Sequence, residues 1–180
     1  VYIVIKASMA FSGHEDWYFF NKGTSSGTMM AWYQDKSSGR GSTSYQQAAK
    51  KSTVKFSNSS ASNLSSATLY IMGLTQDLSD GTVDHWINGD SNGHSSGTQW
   101  NTTNSSNSSN FVLGNRVETL NDRSCASHVG EFLLIKHDPS SVTSLRTKIE
   151  GYLANKWGST LPSGHTYETE PPRLTSGFTG

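Results

Sequence analysis

A single cysteine, Cys125, in 180 residues rules out any intrachain disulfide. Its neighbours in sequence supply no activating constellation, so it reads as a small loop residue and not as a reactive thiol. Charge of one sign is missing too: 14 Lys and Arg balance 14 Asp and Glu. There is no basic run, and Lys50–Lys51 is the only adjacent basic pair. A nucleic-acid binder needs a basic patch to neutralise phosphates, so that class is set aside. No apolar stretch is long enough to span a bilayer, and no secretory leader pattern is present. Hydrophobic residues make up only 33% of the chain, so its apolar side chains must be clustered for a core to form.

They cluster in short strands. Val1–Lys6 is a continuous apolar strand, expected in the middle of a sheet. Trp17–Asn21, Thr28–Gln34, Ser52–Ser57, Thr68–Leu74, Thr82–Asn88 and Phe111–Leu113 follow, and 42–46 is a possible short edge strand. In Thr82–Asn88 the alternation puts Val83, His85 and Ile87 on one face and Asp84, Trp86 and Asn88 on the other. Asn88–Gly89 is a strong hairpin signal. The stretch 89–110 is rich in Ser, Thr, Asn and Gly, is relieved only by Trp100, and reads as a long loop. Helices do not alternate with strands, so a parallel α/β fold is excluded. Nine or ten short strands separated by turn clusters predict an all-β, two-sheet antiparallel jelly-roll sandwich.

One stretch, 128–167, departs from this pattern. Val129–Ile135 is an apolar run interrupted by Gly130 and Glu131, and reads as a buried strand. Asp138 and Pro139 then suit the cap and first position of a helix. Val142, Leu145, Ile149, Tyr152, Leu153 and Trp157 recur at helical spacing and form one apolar face. Gly158 ends the helix and Pro162 follows. The remainder of the chain offers only strands, so this helix is expected to cover a sheet. Tyr152, Leu153 and Trp157 are expected to act as a latch that closes the sandwich.

The order of features resembles the concanavalin A-like lectin/glucanase superfamily, in its laminin-G-like modules of bacterial, phage and viral proteins. Trp86–Gly89 is similar to the apolar strand and Asn-Gly hairpin of such modules. Phe111–Gly114 is similar to their Leu-Gly strand end, and 128–135 to their Gly-x-Glu-apolar strand. The most specific part is 149–167, which resembles a Tyr-Leu-Ala…Lys-Trp-Gly helix followed by a Leu-Pro…His-Pro-Tyr turn. Thr166 stands where that subgroup often has Pro, and Ser159 where it often has Leu. The resemblance implies a jelly-roll sandwich over 1–167 that lacks the family's first strand. Residues 168–180 read as a Pro/Ser/Thr/Gly linker or tail. Both ends lead to the expectation that this is an internal or processed piece of a larger chain or assembly. The fold hosts lectins, glycosidases, adhesion modules and virion parts, so it does not fix the function.

Glycosidases need two carboxylates flanking the sugar bond. The superfamily's glucanases carry a Glu-x-Asp-x-x-Glu strand, and this sequence has none. His14-Glu15-Asp16 lies at a turn, and Glu131 reads as a structural carboxylate bonded to loop backbone. No nucleophile elbow occurs, so no catalytic residue is assigned and the chain reads as a non-enzyme. Residues 88–93 have the oxygen donors of half a calcium loop. Position twelve of that loop is Gln99, so a hairpin turn is the better reading. No cofactor is required; calcium remains possible, with Asp84, Asp90 and Asp122 as its candidates. The scattered histidines do not suggest zinc.

Sugars require flat aromatic faces and planar polar groups. The candidates on loops are Trp100, Asn121, Asp122 and Arg123, with Asn88 and Asp90. Trp17, Trp32, Trp86 and Trp157 read as core. Asn58, Asn63, Asn101, Asn104 and Asn107 begin Asn-x-Ser/Thr triplets, which a chain of this composition makes by chance.

The expected function is a lectin-like recognition or adhesion module, extracellular or at a cell or virion surface, with a glycan or surface partner. No nucleic acid and no membrane span enter this expectation. The alternatives are a structural module of a viral capsid, fibre or surface filament, and a glycoside hydrolase or lyase of the same fold.

Overall fold

The structure is a computed structural model, and it describes residues 1–7, 17–22, 30–35, 46–51, 54–57, 67–77, 82–96, 110–115, 127–136 and 142–173. Ten strands and one helix lie within them: β1 (Tyr2–Ala7), β2 (Trp17–Lys22), β3 (Met30–Asp35), β4 (Gln46–Lys51), β5 (Val54–Ser57), β6 (Leu69–Asp77), β7 (Thr82–Ile87), β8 (Asp90–Ser96), β9 (Phe111–Leu113), β10 (Ser127–Leu133) and α1 (Val142–Trp157). The strands form two five-stranded antiparallel sheets, in the orders β10-β1-β6-β7-β8 and β5-β4-β3-β2-β9. The protein is therefore the two-sheet sandwich that the strand pattern predicts.

The first sheet is covered on both faces, which explains the unbroken apolar run at the start of the chain. Ile3 and Ile5 of β1 face the second sheet, in a core with Phe19, Phe20, Met72, Leu74 and Val83. Tyr2 and Val4 face the other way, in a second core with Ile71, Leu153, Ala154 and Leu161. A strand buried on both faces cannot alternate polar and apolar residues. β2 adds a local device: its register with β3 slips between Tyr18 and Phe20. That bulge lets the consecutive Phe19 and Phe20 both reach the core.

Helix α1 covers the outer face of the first sheet, as its spacing predicts. Leu153 and Ala154 are buried while Tyr152 is 44% exposed. Tyr152 is thus not part of the latch; it lies to the side, where its hydroxyl accepts a hydrogen bond from Lys156 Nζ at 3.0 Å. Gly158 ends the helix with φ +68°. Ser159 N–H then donates to Ala154 O at 3.0 Å, the six-to-one bond of a Schellman motif. Asp138 and Pro139 lie outside the described residues.

Three further expectations change. The strand at 127–133 is an edge strand and not a buried one, since it pairs with β1 alone. Val129 is 42% exposed accordingly. The stretch read as a loop after Gly89 begins with a full strand, β8. Its sequence, DSNGHSS, is entirely polar or Gly, because β8 is also an edge and its strand form rests on pairing with β7. Finally, β4 occupies 46–51 and lies between β3 and β5. The strand in this region is thus an interior one, and 42–45 lie outside the described residues.

Candidate functional site

The β7–β8 hairpin carries the described residues that the sequence assigns to ligand or calcium. Asn88 and Gly89 form its two-residue turn with φ +50° and +88°, as an Asn-Gly hairpin requires. Asn88 is largely spent on the fold. Its N–H donates to Ile71 O at 2.7 Å, and its Oδ1 accepts the Ile71 N–H at 2.8 Å. The side chain thereby extends the β6–β7 ladder by one rung, in place of a backbone carbonyl. A Cβ at Gly89 would lie 3.1 Å from both Leu161 and Pro162, so the C-terminal segment rests on this turn.

Asp90 is exposed and pairs with Ile87, which puts it on the inward-facing side of the hairpin. Asp84 belongs to the opposite face, where its Oδ1 lies 2.6 Å from His94 Nδ1 on the directly paired strand position. The two calcium candidates therefore do not converge on one another. Among the described residues no group of three or more His, Cys, Asp or Glu side chains could hold a metal ion. Trp100, Asn121, Asp122 and Arg123 lie outside the described residues. Their segments join edge strands: 97–109 connects β8 to β9, and 116–126 connects β9 to β10. Along β8, Asp90 and Ser96 are about 20 Å apart at ~3.3 Å per residue. The Asn88–Gly89 turn and the point where the Trp100 segment departs are thus at opposite ends of one hairpin.

Trp86 is closed as a sugar platform by the protein itself. The Arg146 guanidinium lies 3.8 Å above the centre of its ring, and Nε1 lies 3.3 Å from Thr75 Oγ1. Trp157 rests on β10: a Cβ at Gly130 would come within 2.8 Å of its ring. Its Nε1–H donates to Glu131 Oε2 at 2.9 Å, and Lys156 Nζ lies 2.9 Å from the same oxygen. The Trp157 bond, with that from Lys156, holds the Glu131 carboxyl below the usual range. Glu131 is structural, as expected, but its partners are helix side chains and not loop backbone.

The most heavily buried acid among the described residues is one that the sequence pattern does not single out. Glu150 on α1 is 1% exposed. Its Oε2 accepts from Arg146 at 2.7 Å and lies 3.1 Å from His165 Nε2. Its Oε1 and the buried hydroxyl of Tyr2 have no hydrogen-bond partner among the described residues. Burial, reinforced by the Glu150 charge, pushes the Tyr2 phenol above its ordinary value. Arg146 and Glu150 stand four apart on one helix, a spacing visible in the sequence. What the sequence hides is that this pair faces the sheet and meets a histidine from the C-terminal turn. His85, on the inward face of β7, is 3% exposed, and burial lowers its pKa to about 4.

No protein-family model matches the chain. No curated protein matches it either. Among solved structures it is similar to a native heptameric SAP-like pentraxin from Limulus polyphemus, at 13% identity and a TM-score of 0.49 over 71% of this chain. The chain spans about 60% of the length of that pentraxin.

Proposed function

We propose that this chain is a non-catalytic, lectin-like recognition or adhesion module of a larger extracellular or virion-surface protein, with glycans as its ligand class. The observation that carries the reading is how the sandwich uses its carboxylates. Glu131 is taken by Trp157 and Lys156, Glu150 by Arg146 and His165, and Asp84 by His94. Glu168 accepts the Gly164 N–H, and Glu170 pairs with Arg173. Glycoside hydrolysis needs two acids held across a cleft and available to substrate. Among the described residues these five acids are each held by a partner within the fold, which suits a binding module better.

Ligand contacts then fall to Trp100 and to Asn121, Asp122 and Arg123, with Asp90 at the hairpin and Asn88 as its scaffold. Calcium, if used, would draw on Asp122 or Asp90. A glycan array followed by titration calorimetry, with and without calcium, tests this. Binding that Trp100→Ala and Arg123→Ala abolish, with unfolding temperatures unchanged, is the expected result. No binding to any sugar under either condition would remove the glycan part. Reducing ends released from β-glucan or alginate would overturn the non-catalytic part.

A second reading, a structural module of a capsid, fibre or filament, is favoured by one specific feature. Phe111, Leu113 and Val129 are each more than 40% exposed. All three lie on the edge strands β9 and β10. Phe111 and Phe132 approach to 5.5 Å between ring centres, so these two edges border the same side of the sandwich. Open edges with apolar side chains invite pairing with another strand. Light scattering that gives a mass above the monomer at micromolar concentration would favour assembly over glycan recognition.

A further inference from the structure

The C-terminal turn, residues 161–168, is a strap laid over both the helix and the β7–β8 turn. Leu161 is buried in the outer core. Gly89 lies beneath Leu161, Pro162 and His165. Tyr167 lies against Gly151, where a Cβ would come within 2.5 Å of its own. His165, whose side chain is 4% exposed, ties these contacts together. Its Nδ1 accepts the Tyr167 N–H at 3.1 Å, and its Nε2 lies 3.1 Å from Glu150 Oε2.

These two contacts fix the state of the imidazole. A backbone N–H can only donate, so Nδ1 must be bare. Glu150 as a carboxylate can only accept, so Nε2 carries the hydrogen. The strap as built therefore requires a neutral histidine with its proton on Nε2. A proton added at Nδ1 would confront the Tyr167 N–H with a second N–H, and that bond must break. Among the described residues, the charged and titratable groups near the ring are Glu150, with Arg146 and Tyr2 as its neighbours, Tyr167, whose ring centre lies 6.3 Å away, and Glu168 in the turn. Arg146 already offsets part of the Glu150 charge, through Oε2 at 2.7 Å. On the β7–β8 turn, Gly89 lies against the ring.

We propose that the strap is an acid-released latch, in which protonation of His165 at Nδ1 frees Tyr167 from Gly151 and uncovers the Asn88–Gly89 turn. The latch is independent of which ligand the module takes. His165 Nδ1 accepts from the N–H two residues on, as the oxygen of an Asn side chain does in an Asx-turn. His165→Asn thus keeps that bond but has no ring nitrogen to protonate.

Amide hydrogen exchange of the 180-residue chain, corrected for intrinsic rates, reads the latch directly between about pH 8 and about pH 5. On acidification, Tyr167 N–H should lose protection by on the order of tenfold, the scale of one lost hydrogen bond. Gly114 N–H, which donates to Phe19 O at 2.9 Å in the second sheet, should stay protected over the same step. In His165→Asn the Tyr167 protection should hold across the range. Three results would overturn the latch: Tyr167 protection that does not change, loss of Tyr167 and Gly114 together, or acid loss that persists in His165→Asn. The last would assign the transition to Glu150, which that variant retains. A His165→Asn chain that fails to fold would be replaced by His165→Ser, whose hydroxyl offers an acceptor and carries no titrating group.

Discussion

Gly130 and Glu131 show how one pair of residues changes meaning between sequence and structure. In sequence they interrupt an apolar run. In the fold they are the seat for Trp157: the glycine leaves room for the indole ring, and the carboxylate accepts its N–H. Gly130 is also where the register of β10 against β1 slips, which turns Glu131 toward the helix beside Val4. A methyl group at 130 would meet three ring atoms of Trp157 at 2.8–3.0 Å. That ring is clamped by its own hydrogen bond and cannot swing aside freely. Gly130→Ala should therefore cost about 1–3 kcal/mol, the usual range for overpacking. In a Trp157→Ala background the same change should cost almost nothing, because the obstructing ring is gone. The double-mutant cycle from urea unfolding measures this coupling; costs that simply add would mean the ring does not sit on Gly130.

At the scale of elements, legibility followed burial. β1 and α1 were readable because apolar residues must cluster where an element is covered, and both are covered by the outer core. β8 was unreadable for the opposite reason. It is an edge strand of Asp, Ser, Asn, Gly and His, and only its pairing with β7 makes it a strand. The hairpin signal at Asn88–Gly89 announced the turn but not the partner on its far side. β10 reads as a buried strand because Val129, Phe132 and Leu133 are apolar, although the edge leaves Val129 42% exposed. The candidate ligand residues were found by type and loop placement alone, and this is why the structure brings only some of them into view. The polar cluster of Arg146, Glu150 and His165 is hidden in the sequence because His165 stands 15 residues beyond Glu150, across the helix–turn contact. The helix face itself can be tested by contrast. Leu153 is fully buried and Tyr152 largely exposed. Leu153→Ala should lose about 2–5 kcal/mol, whereas Tyr152→Ala, at the surface, should stay within about 1 kcal/mol. Equal costs from thermal or urea unfolding would mean that the helix is rotated from the orientation described.

At the scale of the whole molecule, a buried base on the inner sheet sets how stability responds to acid. Burial lowers the His85 pKa from 6.5 to about 4. The unfolded chain therefore takes up a proton before the folded chain does. Stability is full above the unfolded value and falls as pH drops toward the folded one. The window runs from about pH 6.5 to about pH 4, with a slope of about 1.4 kcal/mol per pH unit within it. His85→Gln removes the group that gains the proton and should remove this slope. Urea midpoints measured across the window for the two chains decide the matter. Equal slopes would mean that the His85 ring is hydrated in the folded chain, and that the inward face of β7 is open to water.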